Sequence, residues 1–159
     1  MFSKGDKIVY PLYGAGVIES IEEKEIEGTF ETYYTLNIPS SNLKIMISAS
    51  KAETCGIRVV YSKDEIVSII KSTKEKNPPM SENWNERYRS NMEKIKTGHL
   101  REIAVVFRNL QSREKLKVLS GAEKKMLTTT KQIIISEIAV SQNIEKNLAE
   151  EILLEAVGS

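Results

Sequence analysis

The hydrophobic period of this chain changes once, near residue 60, and that change limits the folds it can adopt. Before it, apolar and polar residues alternate, most clearly in a segment that places on one face Phe30, Thr32, Tyr34, Leu36 and Ile38. After it, apolar residues recur every three or four positions, as in amphipathic helices. Strands followed by helices predict an α+β chain of two domains, residues 1–60 and residues 61–159.

Turn signals divide the first 60 residues into four strands of a small, strongly bent antiparallel sheet. Tyr13 to Gly16 is predicted to form a tight turn, and Glu27-Gly28 a hairpin turn between the second and third strands. In the fourth strand Met46 alternates with Ile45 and Ile47, so it should point away from the core. The edge strand of such a sheet is a natural docking site for another protein.

About five helices are predicted after residue 60. The first two cover residues 64–73 and 83–96, a third begins at 100, the fourth spans 120–141 and the last begins at 144. Ser120 and Glu123 have the spacing of a capping box, in which each residue hydrogen-bonds the backbone of the other. We therefore place the start of the fourth helix at Ser120.

The net charge of +1 hides an uneven distribution. Residues 1–60 carry six basic and eight acidic side chains, residues 61–143 carry sixteen and ten, and the remainder carries one and four. The middle section is therefore the basic part of the chain. Such a block favours contact with a polyanion only weakly, since an exposed helical face is often basic for solubility alone.

The chain offers little for catalysis. It has no phosphate-binding glycine pattern, no nucleophile elbow and no histidine pair, and Cys55 with His99 cannot make a Cys/His zinc site. No apolar run is long enough for a membrane span, and the N-terminus lacks the pattern of a signal peptide. We expect a cytoplasmic protein that is not an enzyme and needs no metal or cofactor.

The only tryptophan, Trp84, allows two interpretations. Spacing favours a core position, because Trp84 continues an apolar stripe formed by Tyr88, Met92 and Ile95. It also lies in the first turn of its helix, where an exposed indole could wedge against a base while Arg87 and Arg89 hold phosphates. Lys124 and Lys125 open another helix, where free N–H groups favour an anion, although a solvated pair explains them equally well.

Three parts of the sequence carry a family resemblance. They are Gly5-Asp6-Lys7-Ile8-Val9-Tyr10-Pro11 followed by Tyr13-Gly14-Ala15-Gly16, Asn83-Trp84 with Arg87-Tyr88-Arg89 and Asn91-Met92-Glu93-Lys94-Ile95, and Leu119-Ser120-Gly121-Ala122-Glu123-Lys124-Lys125-Met126-Leu127. With them the chain resembles the CarD (CdnL) family of bacterial transcription regulators over essentially its whole length. The N-terminal part alone is also similar to the polymerase-binding module of the transcription-repair coupling factor.

The resemblance implies a Tudor-like sheet domain that docks on the β subunit of RNA polymerase. It also implies a helical domain that contacts promoter DNA at the upstream edge of the transcription bubble, where Trp84 wedges into the minor groove. The protein would stabilise the open complex by binding it more tightly than the closed one. The implied DNA contacts are Trp84, Arg87, Arg89, Lys124 and Lys125. The implied polymerase contacts are Lys24, Ile45, Met46 and Ile47.

Three positions depart from the family pattern. Lys24 and Met46 stand where docking arginines are common, and Glu86 removes positive charge from the basic cluster after the tryptophan. The alternative function is a protein-interaction module, like that of the coupling factor, which binds polymerase without touching DNA and keeps Trp84 in its core. We expect a monomer located at the nucleoid through polymerase, with a sheet-edge or domain-swapped dimer as the alternative.

Overall fold

The computed structural model describes residues 1–74 and 80–158. The N-terminal part contains the strands β1 (Lys7–Tyr10), β2 (Gly14–Ile26), β3 (Thr29–Ile38), β4 (Leu43–Ser48) and β5 (Arg58–Val59). They form one antiparallel sheet in the order β4-β3-β2-β1-β5. The prediction of four strands is therefore one short, because β5 has only two residues and cannot show an alternation.

The hairpin between β2 and β3 confirms the predicted Glu27-Gly28 turn. Ile26 pairs with Thr29, and both turn residues have positive φ, 52° at Glu27 and 80° at Gly28. Positive φ at both positions gives the backbone twist that suits a two-residue hairpin. The hairpin extends beyond the core, which leaves Phe30 exposed although it shares a face with the buried Tyr34.

The sheet has its own apolar core on one face. It is closed by α1 (Ala49–Thr54), a short helix that the sequence analysis does not anticipate. The helix begins where Ser48 accepts a hydrogen bond from the Lys51 backbone N–H at 3.2 Å. The buried residues of this core are Ile8, Ile18, Tyr34, Leu36, Ile47, Ala52 and Ile57.

Five helices follow the sheet within the described residues, which confirms the prediction of about five for this part of the chain. They are α2 (Lys63–Ser72), α3 (Trp84–Lys96), α4 (Leu100–Leu116), α5 (Gly121–Gln142) and α6 (Lys146–Gly158). A second apolar core lies among them, around Phe107, Leu110 and Ile134. None of the described helices is both long and apolar enough to span a bilayer.

The segment from Tyr13 to Gly16 is not a tight turn as predicted. The turn consists of the residues before Gly14, and β2 already begins at that glycine. A Cβ on Gly16 would lie 2.0 Å from the Asn37 carbonyl oxygen, and one on Gly14 would lie 2.8 Å from Ser136 Oγ on α5. Close packing against β3 therefore explains Gly16. Gly14 is explained by close packing against α5 together with its positive φ of 114° directly after the turn.

The sheet and the helices are joined by a buried ion pair. The Arg58 guanidinium donates two hydrogen bonds of 2.8 Å to the Glu137 carboxylate on α5, and the Tyr61 backbone N–H donates a third of 2.9 Å. Glu137 has no exposed surface. Nearby, the Ala15 backbone N–H donates to Ser136 Oγ at 3.0 Å. These contacts fix the position of α5 against β1, β2 and β5.

Candidate nucleic-acid interface

Trp84 is neither a core residue nor a freely moving one. It is the first residue of α3, and 41% of its surface is exposed. Its ring stacks on Tyr88, with centroids 5.2 Å apart and an interplanar angle of 11°. Its Nε1–H donates a hydrogen bond of 3.0 Å to Ser120 Oγ. An exposed fraction of 41% does not fit the core position that spacing alone favours. The hydrogen bond and the stack hold the partly exposed indole in one orientation.

The Ser120 hydroxyl connects the beginnings of two helices. It caps α5 by accepting from the Glu123 backbone N–H at 3.1 Å, and it also accepts from Trp84 Nε1 of α3. Its own hydrogen points to Glu123 Oε1 at 3.4 Å. A hydroxyl offers one donor and two acceptor positions, so these three contacts use its full capacity. The orientation of the indole thus depends on the N-cap of α5.

Arg87 does not face solvent, and the expectation that it meets phosphates fails on this geometry. Its guanidinium donates to Glu123 Oε2 at 2.8 Å and to Oε1 at 3.1 Å, and both side chains are almost fully buried. Nη1 also reaches the carbonyl oxygens of Ser81 and Glu82. With these acceptors, Arg87 holds the chain that precedes α3 and is unavailable to a nucleic acid.

The same ion pair explains why the predicted capping box is only half formed. Ser120 caps the helix, but the Glu123 carboxylate turns to Arg87 instead of back to the Ser120 backbone N–H. The hydrogen bond from Arg87 lowers the pKa of Glu123 and outweighs the opposite effect of burial. The same hydrogen bond raises the pKa of Arg87. Both groups therefore stay ionised at neutral pH.

The other predicted DNA contacts are exposed, but only some lie near Trp84. Lys124 and Lys125 occupy the first turn of α5, directly after its cap, and Lys125 lines a groove shared with Tyr88. Arg89 is exposed too, but it lies about 140° around α3 from Trp84 at 100° per residue. The structure therefore places Lys125 beside Tyr88, the stacking partner of Trp84, whereas Lys124 lines a separate groove with Glu114 and Lys131. Arg89 lies on another side of α3.

Three residues of this site were not identified as functional from the sequence. Ser120 and Glu123 carried only a helix-start pattern, and their partners lie 36 residues earlier, so no local pattern could reveal the network. Tyr88 is different. It follows Trp84 by four positions, the spacing at which side chains of one helix meet, and that signal predicts the observed stack.

The predicted polymerase contacts lie on different faces of the sheet. Lys24 and Met46 share the outer face, where Lys24 Nζ lies 5.9 Å from the centroid of the Tyr33 ring and Met46 is exposed. The Ile47 side chain points the other way and is buried in the sheet core, so its side chain does not face a partner. Ile45 is partly buried against the same core.

Strand β4 keeps one free edge. It pairs with β3 and stands at the end of the sheet, so within the described residues no strand covers its other side. Unpaired N–H and C=O groups along such an edge can pair with an extended segment of another protein. Ile45 and Ile47 can take part through their backbones, whereas Lys24 and Met46 offer side chains.

The sheet has a free edge, and the helices hold a partly exposed indole close to lysine. Both features are typical of a protein that binds other macromolecules. The comparisons agree. Residues 65–154 match the CarD C-terminal domain, and residues 2–61 match the CarD-like/TRCF RID domain. The chain is also similar to a putative transcription factor, YdeB, of Bacillus subtilis (strain 168), with 40% identity over 144 residues, which are 91% of this chain and 94% of that protein.

The chain belongs to the CarD family. This confirms the resemblance found in the sequence, and with it the α+β fold. The protein is therefore a non-enzymatic transcription factor that carries a polymerase-interacting domain.

Proposed function

We propose that this protein docks on the β subunit of RNA polymerase through its sheet and stabilises the open promoter complex through its helices. Trp84 enters the minor groove at the upstream edge of the bubble and props open a base step. The observation that carries the proposal is the fixed, partly exposed indole, bonded to Ser120 and stacked on Tyr88, at the start of two helices.

A fixed ring suits a wedge for a physical reason. Inserting a side chain between base steps requires unstacking, and proteins that do so use large apolar groups. A mobile indole would also lose conformational freedom on binding, which weakens the complex. Because Trp84 is already oriented by a hydrogen bond and a stack, less freedom is lost. Preorganisation therefore strengthens the contact with opened DNA.

Charge supports the wedge but does not dominate it. Lys124 and Lys125 extend from the first turn of α5, where backbone N–H groups also attract phosphate. Arg87 is absent from this set because Glu123 neutralises it. Docking on polymerase raises the effective concentration of the helical domain at the promoter, so little independent affinity for DNA is needed. Arg89 adds at most a contact on a separate side of α3.

Polymerase docking would use the free edge of β4 together with the outer face of the sheet. Backbone pairing along β4 supplies affinity, and the side chains of Lys24 and Met46 supply selectivity. The buried ion pair of Arg58 and Glu137 connects the docked sheet to α5. Lys124 and Lys125 lie at the other end of that helix. A rigid connection of this kind determines where Trp84 meets the DNA.

The proposed mechanism is a shift of the equilibrium between the closed and the open promoter complex. A factor that binds the open complex more tightly than the closed one favours opening by that difference and no more. A preference of about 1.4 kcal/mol gives a tenfold change in the ratio of the two complexes. A single inserted ring and two phosphate contacts can supply a preference of this size.

The lifetime of open promoter complexes with purified polymerase tests the proposal. We expect the wild-type protein to lengthen it, and Trp84→Ala to remove most of that effect while binding to DNA-free polymerase stays unchanged. Leu148→Ala changes another partly exposed apolar residue, in the first turn of α6, and is the matched control that should behave as wild type. Full activity of Trp84→Ala would favour an interaction module without DNA contact.

A further inference from the structure

Two apolar side chains stand almost entirely in solvent at the end of the helical domain. Leu116, the last residue of α4, is 84% exposed, and Val118 in the link to α5 is 89% exposed. Among the described residues only Met1 exposes a larger fraction of a large hydrophobic side chain. Neighbouring apolar groups left in water mark surfaces that another molecule covers.

This segment lies beside Trp84. Lys117 Nζ is 3.5 Å from Glu82 Oε2, and Glu82 precedes Trp84 by two residues. On the other side, Val118 precedes Ser120 by two residues, so their Cα atoms are at most about 7 Å apart. Ser120 is the residue that binds the indole N–H. Leu116 and Val118 therefore border the Trp84 site.

The surroundings of the segment are basic. From Arg113 to Lys125 the chain carries five cations and two anions, and one of those anions, Glu123, is neutralised by Arg87. Glu82, which lies next to the segment, is likewise contacted by Lys117 and Arg113. Apolar groups set among cations match a nucleic acid, because its sugars and base faces are apolar surfaces flanked by phosphates.

We propose that Leu116 and Val118 make a second apolar contact with DNA, on the sugars and base faces of the nucleotides next to the step that Trp84 opens. The inference rests on the proposed function and adds to it. The base faces become accessible only when the duplex opens, so the contact increases the preference for the open complex. Because the contact is apolar, its contribution should not depend on salt as phosphate contacts do.

The double variant Leu116→Ser/Val118→Ser tests this inference in the full-length protein bound to polymerase. At saturating protein we expect the open-complex lifetime to fall by roughly three- to tenfold, as expected from the loss of two apolar contacts. The melting temperature, the affinity for DNA-free polymerase and the salt dependence of the lifetime should stay as in wild type. Leu148→Ser is the matched control, since Leu148 is a partly exposed apolar residue in the first turn of α6.

Three results would overturn the inference. An unchanged lifetime, measured while Trp84→Ala still shortens it, would reject the second contact and leave the proposed function standing. Weaker binding to DNA-free polymerase would assign the two side chains to a polymerase contact. A clearly lower melting temperature would assign them to folding. If Trp84→Ala had no effect either, the proposed function itself would fail.

Discussion

Two buried glutamates on α5 each hold an arginine by two hydrogen bonds, yet they support different parts of the molecule. Glu137 binds Arg58 of β5, with both bonds at 2.8 Å, and so joins the sheet to the helices. Glu123 binds Arg87 of α3 at 2.8 and 3.1 Å, within the helical domain. Their fourteen-residue separation corresponds to about 21 Å along the helix. One helix thus carries a domain link at one end and the Trp84 site at the other.

The difference between the pairs lies in their additional partners. Glu137 also accepts from the Tyr61 backbone N–H, and Arg58 lies 4.8 Å from the Tyr61 ring and donates to the Gly98 carbonyl. Glu123 instead shares Ser120, a side chain, with the indole. Both arginines also bond backbone carbonyls, but the Glu137 pair does so across the domain junction. The Glu123 pair bonds the chain just before α3 and is tied through Ser120 to the group that would contact DNA.

The largest expected effect follows from breaking the domain link. Glu137→Ala leaves the Arg58 guanidinium and the Tyr61 N–H without their acceptor, and loss of one partner of a buried ion pair typically lowers stability by about 4 kcal/mol. Urea unfolding measures this loss. Glu150→Ala is the control, because its carboxylate pairs with Lys131 at the surface and should matter far less. Equal losses in the two variants would contradict a special role for Glu137.

The second effect compares two arginines on one helix. Arg87→Met leaves Glu123 buried without its partner, so we expect the free energy of unfolding to fall by about 3 kcal/mol. Arg89→Met changes an exposed residue, and its effect should stay within about 0.5 kcal/mol. The two variants thus separate a supporting arginine from a surface one, and denaturant unfolding at neutral pH measures both.

The salt dependence of promoter binding should rank Arg87→Met and Arg89→Met in the opposite order, with the larger effect for Arg89→Met. If Arg89 contacts a phosphate, Arg89→Met lowers the slope of log affinity against log salt by about 0.9 for promoter binding. Arg87→Met should leave that slope unchanged, because its guanidinium is already neutralised by Glu123. A reduced slope for Arg87→Met would show that the ion pair opens on DNA.

Acid should weaken the Glu123 pair in a defined direction. Its pKa in the folded protein lies below the ordinary value of 4.5, because Arg87 stabilises the carboxylate. A lowered folded pKa gives stability that is present above the unfolded pKa and is lost as pH falls through the folded pKa. The stability difference between wild type and Glu123→Gln should therefore shrink as pH drops from 5 towards acid. A difference that stays constant over this range would contradict the assignment.

Local features of the fold were predictable from the sequence, and contacts between distant residues were not. The Glu27-Gly28 hairpin and the helix after Ser120 each depend on neighbouring residues, and both were found. Arg87 and Glu123 are 36 residues apart, and Arg58 and Glu137 are 79 apart. Nothing in the pattern around Arg87 distinguishes a buried guanidinium from an exposed one, so the sequence could not reveal that Glu123 binds it. The family resemblance identified Trp84 but not the residues that fix it.

Of the variants expected to destabilise the fold, Ser120→Ala should have the smallest effect. Ser120→Ala removes the N-cap of α5, which typically lowers stability by about 1 kcal/mol, and it also frees the indole N–H of Trp84. Because the chain has one tryptophan, its fluorescence reports on Trp84 alone. We expect acrylamide to quench it more efficiently in Ser120→Ala, and the open-complex lifetime to fall. Ser120→Thr keeps the hydroxyl and should restore both properties. If the lifetime fell in Ser120→Ala without any change in quenching, the hydroxyl would act on DNA binding by a route other than the orientation of the indole.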